Sequence, residues 1–155
     1  MPRTHEQDFI NSFISAARAC GNPDYAVKSL VNSKCKAKKF ADVEYVSESG
    51  IYWAIEVKTH ESPDFGNAVH KIFGELMKET GRIREDKLVR YALLLPSGGL
   101  ELFGKSLLSV NKEKFEAFGK LIPVETVLHF DGEIIKGISW EELYGYKCNE
   151  NSSNK

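Results

Sequence analysis

The 155-residue sequence contains little cysteine, no long apolar run and no net excess of positive charge. Its three cysteines (Cys20, Cys35 and Cys148) are odd in number and include no Cys-x-x-Cys pair, which favours free thiols over a zinc site. No apolar stretch approaches the roughly 20 residues that span a bilayer. The first residues also carry no apolar segment of signal-peptide type. We therefore expect a cytoplasmic protein that has no membrane partner.

The net charge of −1 argues against a uniformly basic nucleic-acid binder, but the basic residues cluster in two places. The first cluster comes just before Asp42, and the second begins at the end of the helix predicted over 63–80. The first cluster consists of Lys28, Lys34, Lys36, Lys38 and Lys39, and the second of Lys78, Arg82, Arg84, Lys87 and Arg90. Each cluster is open to two interpretations, a solvated surface or a patch that attracts phosphate groups.

Hydrophobic periodicity and turn signals predict a sheet flanked by helices. Helices are predicted over 5–20, 63–80 and 109–119, and a short final helix begins at 139. Strands are predicted over 40–47, 51–59, 89–95 and 124–130, with shorter extended pieces at 25–31, 100–103 and 133–138. We find no repeat and no linker, so residues 1–148 are expected to form one domain and 149–155 a disordered tail. The expected class is α/β, with a central mixed sheet.

An acid-x-lysine triplet, Glu56-Val57-Lys58, lies 14 residues after Asp42, in a strand that its β-branched and aromatic residues predict to be buried. Because side chains alternate along a strand, Glu56 and Lys58 share one face. A turn at 48–50 joins the two strands as an antiparallel hairpin, in which Asp42 can approach Glu56. Charges in an apolar strand are costly to bury unless they are paired or bind a metal. The alternative to a metal site is a Glu–Lys pair on a half-exposed sheet face.

Two carboxylates from neighbouring strands are ligands that Mg²⁺ commonly uses together with a substrate phosphate. A bound Mg²⁺ or Mn²⁺ would polarise the scissile phosphate and lower the pKa of a water molecule. Lys58 could orient the attacking water and stabilise charge in the transition state. Glu6, from the first predicted helix, could complete the site. For Glu6 the alternatives are that Asp8 takes this place or that Glu6 is a plain surface acid.

At these residues the sequence resembles the PD-(D/E)xK nuclease superfamily, whose restriction-endonuclease-like core has the element order αβββαβ. Glu6 matches the acid of the first helix, Asp42 the acid of the second core strand, and Glu56 and Lys58 the acid-x-Lys of the third. The resemblance covers roughly residues 4–95, with 25–31 as the only candidate for the first core strand. It implies that Asp42, Glu56 and the backbone carbonyl of Val57 hold Mg²⁺ or Mn²⁺.

The resemblance implies a metal-dependent nuclease that hydrolyses DNA phosphodiester bonds, an endonuclease of structure-selective, repair or restriction type, and it suggests a homodimer. The sequence departs from the family at Ala41, where the family's name has Pro. Candidate nucleic-acid-binding residues are Lys36, Lys38, Lys39, His60, His70 and Lys71. For the two histidines the alternative is a position without a functional role. Two other functions stay open, a non-catalytic nucleic-acid-binding module and a protein-interaction domain that retains the fold.

Overall fold

The computed structural model describes residues 5–33, 41–59, 74, 89–96, 111–121 and 124–144. Within these ranges the elements are α1 (His5–Arg18), β1 (Val27–Asn32), β2 (Val43–Ser47), β3 (Tyr52–Val57), β4 (Val89–Pro96), α2 (Lys112–Leu121), β5 (Val124–Phe130) and β6 (Ile135–Ser139). Residues 140–144 are also helical. The predicted α/β class is confirmed.

The strands form one six-stranded mixed sheet in the order β1-β2-β3-β4-β5-β6. β1, β2 and β3 make an antiparallel meander, β4 and β5 run parallel to β3, and β6 returns antiparallel to β5. The carboxyl ends of β3, β4 and β5 therefore lie at the same edge of the sheet as the beginning of β2 and the end of β1. We call this edge, which contains Asn32, Asp42, Val57, Pro96 and Phe130, the carboxyl edge.

α1 packs on one face of the sheet through an apolar stripe, and this packing fixes which strand residues face the core. The stripe consists of Ile10, Phe13, Ile14 and Ala17, and it packs against Val43, Tyr45, Trp53, Ile55, Val57, Ala92, Leu94, Leu128 and Phe130. The rings of Phe13 and Phe130 meet edge to face, with centroids 5.9 Å apart. Since side chains alternate along a strand, Glu44, Ala54 and Glu56 point to the opposite face.

Two predicted elements begin later in the structure than in the sequence analysis, in both cases because a side chain bonds to nearby main chain. The strand predicted over 40–47 begins at Val43, since the main chain of Ala41 bonds to side chains. The helix predicted over 109–119 is α2, which begins at Lys112. Its cap is Asn111, whose Oδ1 accepts the N–H groups of Glu113 at 2.8 Å and Lys114 at 3.3 Å.

The final helix begins as predicted. The Ser139 Oγ accepts the N–H of Glu142 at 3.1 Å, and the Glu142 Oε1 accepts the N–H of Ser139 at 3.3 Å, which is a reciprocal capping box. The extended piece predicted at 25–31 is β1, and the one predicted at 133–138 is β6. Both predicted extended pieces are therefore strands of the same sheet.

Several predicted elements fall outside the described residues. Within the helix predicted over 63–80 only Gly74 is described, and it is helical and exposed. The extended piece at 100–103 and the tail at 149–155 lie outside the description. In the described ranges, no helix has both the length and the apolar character needed to cross a membrane.

Candidate active site

Asp42 and the end of β3 come together at the carboxyl edge. Val43 pairs with Ile55 in the antiparallel register, so one step further along the hairpin Asp42 lies across from Glu56. The Asp42 Oδ2 accepts the backbone N–H of Val57 at 3.0 Å. The predicted hairpin is confirmed, and it places the Asp42 carboxylate beside the acid-x-lysine triplet.

Glu56 is the only charged residue in β3, and it is buried, with 6% of its surface exposed. Every residue of β3 is buried. Glu56 is therefore not half-exposed, while its pairing with Lys58, the alternative to a metal site, stays an alternative. A buried carboxylate is costly unless it is paired or coordinated, so its place at the end of a fully buried strand favours a specific role.

Lys58 continues the strand geometry one residue beyond β3. Its backbone N–H donates to the carbonyl oxygen of Leu94 at 3.0 Å, which extends the pairing of β3 with β4. Because the alternation of side chains continues with this pairing, Lys58 shares the face of Glu56, about 6.5 Å further along the chain. Lys58 is half-buried.

Glu6 lies in the first turn of α1 and is half-buried. The neighbouring Gln7 donates from Nε2 to the carbonyl oxygen of Ser33 at 3.0 Å, which ties the first turn of α1 to the residue after β1. This contact brings the beginning of α1 to the carboxyl edge. α1 itself packs on the face opposite Glu56, so Glu6 has to approach the triplet around the end of the sheet. Its catalytic role stays a prediction.

Two polar residues bond to the main chain just before Asp42 and a third bonds to one of them, and no motif in the sequence points to these three. The Glu44 Oε2 accepts the N–H of Ala41 at 2.6 Å, and the Asn32 Nδ2 donates to the carbonyl oxygen of Ala41 at 2.7 Å. The hydroxyl of Tyr52 donates to the Glu44 Oε1 at 2.6 Å. The available signal was an acid, Glu44, two residues after Asp42 on the same face of the strand.

The described members of the two basic clusters do not lie at this site. Lys28 lies near the beginning of β1, and Arg90 pairs with Trp53 near the beginning of β4. Both are exposed and lie at the edge of the sheet opposite the carboxyl edge. These two members therefore lie away from the triplet, and the interpretation of the clusters as patches that attract phosphate stays a prediction. The candidate nucleic-acid-binding residues lie outside the described residues: Lys36, Lys38, Lys39, His60, His70 and Lys71.

The ligands available for a metal ion at this edge are oxygen atoms. In the part of the chain that the structure describes, no group of three or more His, Cys, Asp or Glu side chains is arranged to hold a metal ion. Asp42 and Glu56 offer two carboxylates and Val57 a backbone carbonyl. Mg²⁺ commonly binds through one or two carboxylates and completes its shell with water and phosphate, so this donor set fits it.

Cys20 is a free thiol, and Cys35 and Cys148 lie outside the described residues.

Comparisons of the chain with known protein families, with curated proteins and with solved structures found no match. Support for a function therefore comes from the geometry of the site. The PD-(D/E)xK resemblance stays a prediction that is drawn from Glu6, Asp42, Glu56 and Lys58.

Proposed function

We propose that this chain is a metal-dependent nuclease of PD-(D/E)xK type, which hydrolyses DNA phosphodiester bonds with Mg²⁺ or Mn²⁺. The observation that carries the proposal is the bond of 3.0 Å from the Val57 N–H to the Asp42 carboxylate, directly beside the buried Glu56. It joins the two halves of the motif, which are separated in sequence, at one edge of one sheet. Open α/β sheets commonly bind ligands at the carboxyl ends of their strands.

The order of the described elements supports the proposal. α1 is followed by the antiparallel strands β1, β2 and β3, and then by β4, which runs parallel to β3. This agrees with the αβββαβ core of the superfamily as far as the described residues extend. A parallel connection from β3 to β4 requires a crossover, and the predicted helix over 63–80 would supply it.

Each residue has a distinct role in the proposed reaction. Asp42, Glu56 and the Val57 carbonyl would hold the metal ion, which when bound polarises the phosphate and lowers the pKa of a water molecule. Lys58 would orient the attacking water and neutralise charge on the phosphate in the transition state. Because Glu56 is buried, bulk water competes little for its carboxylate. The electrostatic interaction between this carboxylate and a bound metal ion would therefore be stronger than in water.

The test compares the wild-type protein with Glu56→Gln and Lys58→Ala on duplex, single-stranded, flap and four-way junction DNA, with Mg²⁺, Mn²⁺ or EDTA. Glu48→Gln and Lys28→Ala are matched controls, because they change the same residue types at exposed positions at the opposite edge of the sheet. We expect the two site variants to bind DNA but to lose cleavage by about 100-fold or more. Both controls should cleave like the wild type.

Three outcomes would contradict the proposal. Equal cleavage by the wild type and both site variants would show that the triplet is not catalytic. Salt-sensitive DNA binding without cleavage on any substrate would favour the non-catalytic nucleic-acid-binding module. No DNA binding at all would favour a protein-interaction domain.

A further inference from the structure

The main chain just before β2 is held by side chains instead of the strand ladder. Ala41 is buried, with 1% of its surface exposed, and its N–H and C=O bond to Glu44 and Asn32 respectively. Buried N–H and C=O groups require hydrogen-bond partners. The Glu44 and Asn32 side chains supply them for Ala41, which lies outside the pairing of β2 with β3. The paired register of β2 and β3 includes Val43 but stops short of Asp42.

Glu44 is itself held from two sides. It is 1% exposed, and each of its carboxylate oxygens accepts a hydrogen bond of 2.6 Å, one from the N–H of Ala41 and one from the hydroxyl of Tyr52. Tyr52 and Glu44 lie on neighbouring strands and share the face of Glu56. Hydrogen bonds to a charged acceptor are among the stronger ones in proteins, so this arrangement resists displacement.

We propose that Glu44, with Tyr52 and Asn32, forms a clamp that fixes the Ala41–Asp42 main chain and so aims the Asp42 carboxylate at the end of β3. Glu44 is a positioning residue in this proposal, and its consequence for metal affinity rests on the proposed function. The reason is geometric. A site for a metal ion tolerates only small displacements of its ligands, and Asp42 lies outside the regular ladder that would otherwise hold it.

The clamp has a consequence that can be measured without any metal. The N–H of Val57 donates to the Asp42 carboxylate, so hydrogen exchange at the Val57 amide reports whether that carboxylate is in place.

Tyr52→Phe removes one hydroxyl and keeps the packing, while Glu44→Gln keeps the shape and removes the charge. Tyr45→Phe is the matched control, because it also removes a buried tyrosine's hydroxyl, one that donates to the carbonyl of Tyr25 at 2.7 Å on the opposite face.

The experiment measures Val57 amide exchange by NMR in EDTA and Mn²⁺ binding by titration, on the full chain. We expect Tyr52→Phe and Glu44→Gln to exchange faster at Val57 and to bind Mn²⁺ about 10-fold more weakly. Tyr45→Phe should leave both unchanged. Should Glu44→Gln fail to fold, Tyr52→Phe still decides the question.

Unchanged Val57 exchange in the clamp variants would overturn the proposal, and so would faster exchange combined with wild-type Mn²⁺ affinity. A wild-type protein that neither binds Mn²⁺ nor cleaves DNA would instead refute the proposed function. In that case the proposed effect of Glu44 on metal affinity is refuted as well, while the exchange data still decide whether the clamp holds Asp42. The two failures are therefore distinguishable.

Discussion

The Asp42 carboxylate accepts the backbone N–H of Val57 at 3.0 Å, so a single acid both binds the last backbone N–H of β3 and lies beside Glu56. The first task requires only an oxygen acceptor. The second, if it is to hold a divalent cation, requires a negative charge. Because Asn has the acceptor and lacks the charge, the two tasks of Asp42 can be separated by substitution.

We expect Asp42→Asn to keep the free energy of unfolding within about 0.5 kcal/mol of the wild type, because the amide oxygen still accepts the Val57 N–H. Asp42→Ala leaves that N–H without its acceptor and should lower the free energy of unfolding by about 1–3 kcal/mol. Both variants should lose metal-dependent cleavage. Urea unfolding together with a cleavage assay checks the prediction, and equal destabilisation by Asn and Ala would contradict the role of the hydrogen bond.

A second prediction concerns metal removal. If Asp42 and Glu56 hold Mg²⁺ only in the folded state, the ion stabilises the wild type by mass action, by about 2.7 kcal/mol at 100 times its Kd. Glu56→Gln should lose this increment, while Glu48→Gln, an exposed acid in the turn between β2 and β3, should keep it. Thermal unfolding with EDTA and with increasing Mg²⁺ measures the increment. A wild type whose Tm does not respond to Mg²⁺ or Mn²⁺ would contradict the metal site.

A third prediction tests the packing of α2 against the final helix. A Cβ on Gly119 would lie 2.1 Å from the Cδ1 of Trp140. The indole cannot move aside easily, because it stacks on Phe115 at a centroid distance of 4.4 Å and its Nε1 donates to the carbonyl of Phe115 at 2.7 Å. Gly119→Ala should therefore lower the free energy of unfolding by about 1–3 kcal/mol.

The matched control for this substitution is Gly74→Ala. Gly74 is helical and exposed, and nothing lies within 4 Å of the position that a Cβ would take. Alanine reduces the conformational freedom of the unfolded chain, so this variant should be more stable than the wild type by about 0.4–1 kcal/mol. Urea unfolding of both variants gives the comparison, and effects of the same sign would show that the contact with Trp140 does not limit Gly119.

The hairpin and the shared face of Glu56 and Lys58 could be predicted from the sequence, because both follow from local patterns. Alternation along 51–59 assigns the faces, and the turn at 48–50 brings the two strands back antiparallel. The sheet class follows from the same patterns, since the order of helices and strands allows few packings. The burial of the strand that carries Glu56 could be predicted too, from its β-branched and aromatic residues, and it is confirmed. Which part of the chain covers Glu56 could not be predicted from a local pattern.

The residue at which β2 begins could not be predicted from a local sequence pattern. Whether Ala41 joins a strand ladder or bonds to side chains depends on Asn32 in β1 and on Glu44 and Tyr52 in the hairpin. Alternation shows that Glu44 and Asp42 share a face, but it does not show that the Glu44 carboxylate turns back toward Ala41. The same limit applies to Arg90, whose distance from the triplet follows from the register of β3 with β4.

The last prediction concerns acid stability and His129 in β5. Partial burial lowers the pKa of His129 below its ordinary value of 6.5, and Lys136, directly opposite on β6, lowers it further against a smaller opposing effect of Asp131. Below pH 6.5 the unfolded chain therefore binds a proton at this side chain that the folded chain does not bind. The free energy of unfolding should fall as the pH drops from about 6.5 through the folded pKa.

His129→Gln should flatten this pH dependence, because glutamine does not titrate. Asp131→Asn is a comparison and not an independent control, because it removes the charge that opposes the lowering of the His129 pKa, so the fall in stability should extend to lower pH. Hydrogen bonds from the N–H groups of Ile134 and Glu133 lower the pKa of Asp131 below its ordinary value of 3.8, so its stabilising contribution is lost only below that pH. Urea unfolding is measured between about pH 7.5 and 5, a range that includes the ordinary histidine pKa of about 6.5. Titration of His129 changes the free energy of unfolding within this range, and titration of Asp131 changes it only at lower pH. An equal slope in His129→Gln and the wild type over this range would show that another group titrates there.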